Sequence, residues 1–319
     1  MKILNCEIDK GSVYAKLSVS ANEIKSAGSV QDAVKAAIAA FSEEKGLPSL
    51  IYTRVTAMDE NGSATEVTFE GAVPPQVILG PYKGIEVDIG HCEDFEEAAV
   101  QAAAKNLRVA VPELMIRRKI DSVMLEKESE LIDSLSLNTL ADIHSILGEL
   151  NSEFGLGLGE KELWEKSMKA AENYIGMGMQ DIYAFTQAFD GIIELDGEQI
   201  ARAAEKRAYA RAELPAEQVA AEVFDAYLCT EGKTLDQWRE EQREAALTMS
   251  RIDFLLAAVA DEEGLTVEQD ELDRAVYDLA AQYQMPVEAV LNAVGEEAIR
   301  HHIRMTKANQ IIVDNARNK

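Results

Sequence analysis

From Thr234 to Tyr283 the sequence reads as two helices joined by a short turn, and this stretch constrains the fold more than any other. Thr234 and Gln237 stand at the spacing of a capping box, in which each side chain satisfies the other's backbone amide, so a helix can begin there. Apolar residues follow at Trp238, Met249, Ile252, Leu255, Leu256 and Val259, the last four at the i, i+3, i+4, i+7 period of one helical face. Gly264 sits where a left-handed C-terminal cap is wanted. Thr266 and Gln269 then repeat the capping-box spacing, and a second stripe runs through Leu272, Val276, Leu279 and Tyr283. Two capped helices with so short a link are expected to lie side by side, each burying the other's stripe. The stretch carries no catalytic chemistry of its own.

A chain that is 47% hydrophobic and 28% charged belongs with globular folds, not with disordered ones. No apolar run reaches the roughly 18 residues of a membrane span. The opening MKILNCEIDKGS meets an acidic residue too early for the apolar core of a secretory leader. Cys6, Cys92 and Cys229 are scattered, odd in number and without a Cys-x-x-Cys pair, which points to a reducing cytoplasm and away from a disulfide frame. The net charge of −26 repels phosphate backbones, so direct nucleic-acid binding is not expected. It favours solubility, and an acidic rim would also keep an exposed apolar surface from self-association.

Taken in order, the N-terminal part alternates strand and helix patterns. Val13, Ala15, Leu17 and Val19 face one way across residues 12–20, the signature of a half-buried strand. A helix begun at Ala21 is interrupted by Ser26-Ala27-Gly28-Ser29, and a second one carries Val30, Val34, Ala37, Ile38 and Phe41. Strand-like runs at residues 51–56 and 65–69 flank the turn Asp59-Glu60-Asn61-Gly62, a hairpin signal. Pro74-Pro75 limits any strand there to an edge. From Asp94 onward the patterns are helical, with Pro112 suited to a first helical turn. The glycine-rich Phe154-Gly155-Leu156-Gly157-Leu158-Gly159 follows no strand and precedes no Lys-Ser or Lys-Thr pair, so it reads as a helix connector and not as a phosphate cradle.

Two segments resemble a known family. RIDFLLAAVADEEGLTVEQDELDRAVYDLAAQYQMPVEAVLNAV is similar to the C-terminal helical domain of trigger factor, the bacterial folding chaperone. ATEVTFEGAVPPQVILGPYKGIEVDI resembles the closing strand of that family's N-terminal domain, through Phe69, Pro74, Val77, Leu79, Gly80, Tyr82, Lys83, Gly84, Glu86 and Val87. VPELMIRRKIDSVMLEKESELI further resembles the start of the family's helices beyond its isomerase domain, with Lys119 in place of the usual acidic residue. Two departures stand out. Lys25-Ser26-Ala27-Gly28-Ser29 replaces the family's Gly-Phe-Arg-x-Gly-Lys ribosome-docking loop, and the basic side chains such docking needs are absent. His91 also leads directly to Val111-Pro112, too few residues for the family's prolyl-isomerase domain.

The resemblance implies a mainly α protein: a small α+β N-terminal domain over residues 1–90, then an elongated helical domain with arms over residues 91–319. It implies an ATP-independent cytoplasmic chaperone for unfolded or nascent polypeptides, with no isomerase activity, doubtful ribosome docking and no cofactor. No constellation of residues argues for an enzyme. His301 and His302 are adjacent and diverge on a helix, His91-Cys92 has no partner pair at metal spacing, and no Gly-x-Ser-x-Gly elbow exists. Methionine adapts to varied partners, which makes Met115, Met124, Met249, Met285 and Met305 the candidate client-binding residues, although core filling is the ordinary use of each. The rival reading is a non-enzymatic assembly protein that holds one dedicated folded partner.

Overall fold

The computed structural model describes residues 1–61, 64–87, 94–178 and 181–318. They separate into two units, Met1–Lys119 with Arg243–Lys319, and Ile120–Gln242. The fold is mainly α with a small α+β portion at the N-terminus, as expected.

In the first unit β1 (Lys2–Asp9), β2 (Ser12–Ser20), α1 (Ala21–Ala27), α2 (Val30–Glu44), β3 (Ile51–Asn61) and β4 (Ala64–Ala72) follow one another along the chain. The strands form one antiparallel sheet in the order β1-β2-β4-β3. The alternation expected in β2 is obeyed: Val13, Ala15, Leu17 and Val19 are buried beside Val67 and Phe69 of β4, under Val34, Ala37 and Phe41 of α2. Phe41 meets Phe69 edge-on, with centroids 5.4 Å apart. The expected hairpin closes with Asn61 paired to Ala64, while Gly62 lies outside the described residues.

Both outer strands depart from a simple alternation for the same reason. A bulge between Ile3 and Asn5 of β1 puts Ile3 and Cys6, three residues apart, opposite the core residues Leu17 and Ala15. A bulge between Val55 and Ala57 of β3 likewise sets Val55 and Met58 opposite Phe69 and Val67. An inserted residue breaks the period of two, so β1 leaves no strand signal and β3 is legible only in part. Bulged edges also resist pairing with another chain, which protects an open four-stranded sheet from edge-to-edge aggregation.

The segment that resembles the family's closing strand begins as β4, and beyond Ala72 it leaves the sheet to cover helices. The relevant elements are β5 (Glu86–Val87), α3 (Phe95–Asn106) and α4 (Glu113–Leu131), and later α10 (Leu235–Glu262), α11 (Gln269–Gln282), α12 (Val287–Val294), α13 (Glu296–Asn315) and β6 (Arg317–Asn318). Val77, Leu79, Tyr82 and Ile85 pack on a core of Ala103 and Leu107 from α3, Leu255 and Val259 from α10, and Ala308 and Ile312 from α13. Gly80 is required there, because a Cβ would stand 2.3 Å from the Asn106 carbonyl oxygen. Lys83 pairs with Glu263 at 2.6 Å, and the Tyr82 hydroxyl donates to the same carboxylate. Burial, aided by Glu263, pushes the Tyr82 phenol up to about 12. The Gly84 amide donates to the Asn315 carbonyl at 2.9 Å, and β5 pairs in parallel with β6.

The C-terminal helices correct the side-by-side hairpin. Thr234 and Gln237 do cap α10 reciprocally, at 2.8 and 3.2 Å, and Gly264 does take a left-handed φ of 61°. The stripe of α10, however, is covered by α3, α13 and residues 77–85 and not by α11. Leu272 and Val276 of α11 pack with Val290 of α12 and Ile299 of α13. A stripe needs an apolar partner but does not say which one, and remote chain supplied it. The second box is also displaced: Glu268 and Glu271 close it, two residues beyond Thr266. Tyr283 is exposed at the cap of α11, and Thr306 and Gln310 lie on the solvent side of α13, whose buried face continues through Ala308 and Ile312.

On the open face of the sheet, Glu70 ties β4 to α4. Only 6% exposed, it accepts from Arg117 at 2.8 Å and from Arg118 at 2.9 and 3.1 Å, with Arg54 at 3.5 Å. The Leu114 amide donates to the buried Ser12 hydroxyl at 2.9 Å beside this cluster. A buried carboxylate that satisfies several guanidinium groups leaves them uncompensated when it is removed. Glu70→Gln should therefore lower stability by about 3 kcal/mol, measured from the midpoint of chemical denaturation, whereas Glu7→Gln on exposed β1 should leave the midpoint in place.

In the second unit the last residues of α4 and the first of α10 accompany α5 (Leu135–Phe154), α6 (Glu160–Gly176), α7 (Ile182–Gln187), α8 (Gly197–Glu213) and α9 (Ala216–Thr230). Leu140, Ile143, Ile146, Leu147 and Leu150 make α5 the centre of its core. The glycine-rich segment after α5 is a connector, as expected: Gly155 caps α5 in the left-handed region, and Asn151 exchanges two hydrogen bonds with the Leu158 backbone at 2.9 and 3.0 Å.

Candidate functional site

In the second unit the end of α6, the short α7 and one face of α8 enclose an open apolar groove with the start of α5. Gly178 ends α6 with a φ of 69°, and Asp181 restarts the chain as α7 by accepting from the Ala184 amide at 2.8 Å. Asn173 of α6 donates to the Ala188 carbonyl at 3.1 Å and Lys166 to that of Ile192 at 2.7 Å, which fastens the α7 region to α6. The groove has two lobes of about 340 and 380 Å³ that share Leu135, Thr139 and Tyr174. Ile175 lines one lobe; Ile146, Ile182 and Phe185 line the other.

Apolar side chains at this groove stay in water. Leu135 is 62% exposed and Ile182 47%, and Ile175, Met177 and Tyr183 of the same helices are also open. Asp142, Asp181 and Glu205 stand around the second lobe. Arg207 lies inside this acidic border and is fully engaged, bound to Asp142 at 2.9 Å and to Glu222. Arg211 also binds Asp142 and reaches Asn138. The result is an apolar floor inside a border whose cation is already neutralised, suited to apolar segments and indifferent to added salt.

A second groove of the same unit, about 950 Å³, has a different lining. Trp164, Met168 and Leu228 meet Glu160, Glu165, Asp225 and Lys233 there. His144 stacks on Trp164 with centroids 3.4 Å apart and places Nδ1 3.2 Å from the Ser167 hydroxyl. Burial pushes this imidazole down to about 4 and the nearby Cys229 thiol up. A neutral ring held against an indole and a thiol kept protonated do not form an activated nucleophile. Among the described residues no group of three or more His, Cys, Asp or Glu is placed to hold a metal ion.

The methionines singled out from the sequence are dispersed. Met115 is 6% exposed and packs with Leu114 and Ala72, and Met305 is half-buried against the core of α3, α10 and α13. Met124 is half-buried on α4. Met249 and Met285 are exposed, on α10 and just beyond α11. None of these five lines the apolar groove. The residues that do, Leu135, Tyr174, Ile182 and Phe185, gave no periodic signal; the cluster of aromatic residues after Gly176-Met177-Gly178 was the only local clue. Met179, and His91 with Cys92, lie outside the described residues.

A mainly α chain with a small bulged sheet at its start and an open apolar groove among its helices is the class of protein that these features define. The family described as the bacterial trigger factor protein C-terminus matches residues 192–314, from the α7–α8 connection into α13. Trigger factor of Bacillus cytotoxicus is 23% identical over 277 residues, 81% of this chain and 62% of that protein. Trigger factor of Streptococcus equi subsp. zooepidemicus is 30% identical over 95 residues, 30% of this chain and 22% of that protein. These matches span less than two thirds of the relatives' own length. Trigger factor of Streptococcus pneumoniae is 23% identical over 369 aligned positions, 90% of this chain and 84% of that protein. Since 369 positions exceed the 319 residues here, that relative carries residues this chain does not have. A solved structure of a trigger factor chaperone, titled for promiscuous substrate recognition in folding and assembly, covers 98% of this chain and 99% of its own at 14% identity and a TM-score of 0.34, too slight a likeness to define a shared overall arrangement. The chain is thus similar to trigger factors, through the family match over residues 192–314 and these longer alignments.

His144 supplies a test of the second unit's packing. Its folded-state value of about 4 lies below the ordinary 6.5, so between those values the unfolded chain binds a proton that the folded one refuses. The neutral ring's contribution to stability is complete above pH 6.5 and is lost as pH falls towards 4. His144→Phe keeps a ring on Trp164 without a titrating group. Its denaturation midpoint should fall less steeply than wild type's over that pH interval, and parallel curves would contradict the assignment.

Proposed function

We propose that this chain is an ATP-independent chaperone that shields apolar segments of unfolded or nascent polypeptides in the cytoplasm. The observation that carries the reading is the groove of Leu135, Tyr174, Ile182 and Phe185, which keeps large apolar side chains in water inside an acidic border. Similarity to trigger factors adds to it, through the family match over residues 192–314 and the alignments with the bacterial trigger factors. Apolar burial contributes about 25 cal/mol per Å² removed from water, so two small lobes hold a segment weakly and release it without nucleotide. Each copy carries the same charge of −26, which opposes aggregation of chaperone and client complexes. No helix among the described residues is long and apolar enough to cross a membrane.

Purified full-length protein should suppress aggregation of a chemically denatured, unrelated enzyme, measured by light scattering without ATP. Protection should survive added salt, because screening weakens charge contacts and leaves apolar burial intact. The double variant Leu135→Asp, Ile182→Asp should lose most of the protection with circular dichroism unchanged, since both side chains are already exposed. Protection of a single protein among many unrelated denatured clients would favour a dedicated-partner role instead.

The proposal includes neither prolyl isomerisation nor ribosome docking. Too few residues separate Ile89 from Val111 for an isomerase domain. The connection between α1 and α2 is closed by Gly28 and the cap Ser29, and holds no arginine. The protein should leave the slow isomerisation of a proline peptide at its uncatalysed rate and should not sediment with ribosomes at physiological salt. Concentration-dependent acceleration, or sedimentation that persists at high salt, would contradict it.

A further inference from the structure

The open face of the sheet in the first unit carries more cations than its own carboxylates need. Tyr14 of β2, Glu70 of β4 and Arg54 of β3 stand side by side across three strands, with Glu7 of β1 beyond Tyr14. Arg117 and Arg118 of α4 reach this row, and the Arg117 guanidinium sits 5.3 Å from the centre of the Tyr14 ring. Arg117 donates to one Glu70 oxygen and Arg118 twice to the other, so the buried carboxylate is satisfied without Arg54. The Arg54 Nε is 3.5 Å away and its side chain is 66% exposed. Lys10 is also surplus. It takes a left-handed φ of 44° before Gly11 at 80°, in the two-residue turn that closes β1 on β2. That turn is fixed: the Val73 amide donates to the Gly11 carbonyl at 2.8 Å, and a Cβ on Gly11 would stand 3.6 Å from Pro112. Lys10 is exposed and makes no ion pair among the described residues. Glu113, at the start of α4, is already taken by Arg243 through two hydrogen bonds at 2.5 and 2.6 Å. That guanidinium, aided by the charges of Lys10 and Arg117, holds Glu113 below the usual carboxylate range.

Lys10, Arg54, Arg117, Arg118 and Arg243 thus outnumber Glu7, Glu70 and Glu113, in a chain whose acidic residues outnumber its basic ones by 57 to 31. All of these groups belong to the first unit. A local excess of the opposite sign is complementary to an anionic partner and opposed to the rest of the surface. Guanidinium groups take carboxylates through paired N–H donors, as Arg243 does with Glu113. A continuous polyanion such as nucleic acid would be repelled along its length by the net charge of −26, whereas a short acidic run within a polypeptide meets only the patch. We propose that Lys10, Arg54 and Arg117, on the open face of the sheet, form a docking surface for an acidic segment of another polypeptide. The surface belongs to a different unit from the apolar groove and acts by charge, so it goes beyond the chaperone reading and does not depend on it.

The test titrates the full chain into a dye-labelled peptide of alternating glutamate and serine, followed by fluorescence anisotropy. An extended peptide of this pattern presents its carboxylates on one face. It should bind at low salt and weaken as salt screens the charges, unlike occupants of the apolar groove. The same peptide with glutamine for glutamate should not bind. The double variant Lys10→Asn, Arg54→Gln should bind about tenfold more weakly, the combined effect of two exposed ion pairs. Its denaturation midpoint should stay in place, since asparagine tolerates the left-handed turn and Arg54 is surplus to Glu70. Lys161→Gln with Arg202→Gln, which removes two exposed cations of the second unit, should leave the affinity unchanged. Glu7→Gln removes the carboxylate at the end of the row and should strengthen binding about twofold. Equal affinity in wild type and the Lys10, Arg54 variant would overturn the surface, as would an equal loss in the Lys161, Arg202 control or weaker binding by Glu7→Gln. No binding by wild type at low salt would overturn it as well. So would tighter binding of an oligouridylate of the same charge, because the surface would then take phosphate.

Discussion

Burial of the α10 stripe against remote chain holds the first unit together. Leu255, Val259 and Ala260 cannot be left in water, and the next helix, α11, is turned towards α12 and α13 instead. Closure comes from α3, more than a hundred residues earlier, and from α13. Residues 77–85 then seal the remaining side, which is why Gly80 must pass so near the Asn106 carbonyl and why Glu263 receives both Tyr82 and Lys83. The two stretches that make the unit, Met1–Lys119 and Arg243–Lys319, depend on each other for a dry core.

A surface that leaves apolar groups in water must avoid pairing them with copies of itself. Three devices act together here. The outer strands of the sheet are bulged, so their backbone edges are poor templates. The chain carries a large excess of acidic groups, so copies repel. The apolar groove is divided into small lobes within an acidic border and is not one continuous patch. Each device opposes association of whole chains.

Parts of this arrangement were legible in the residues, and the failures have physical causes. β2 was readable because its pairing with β4 runs in continuous register and the extra residue opposite its other edge belongs to β1, so the period of two survives. β1 was not, since its core residues stand three apart across a bulge. The cap of α10 was visible in Thr234 and Gln237 because capping is local chemistry. The site was largely hidden. Methionine content marked adaptable side chains, yet Met115 went to a core and Met305 packs against one. Leu135, Tyr174, Ile182 and Phe185 become neighbours only through the turn at Gly178 and the cap at Asp181.

By itself the sequence determined the locally encoded properties. These are the helical class, the strand and helix patterns of the N-terminal part, the cap of α10, the acidic balance, and the motifs from Phe69 to Val87 and in α10 and α11 that resemble trigger factor. All of them depend on residues within a turn or two of each other, where spacing alone carries the physics. The tertiary structure alone decided which apolar stripe covers which, that Glu70 would gather arginines from β3 and α4, and where apolar groups would be left open. An apolar stripe states a need for burial without naming the surface that meets it. That choice is made by shape and closure over the whole chain, and the groove is what remains where no stripe was available to cover it.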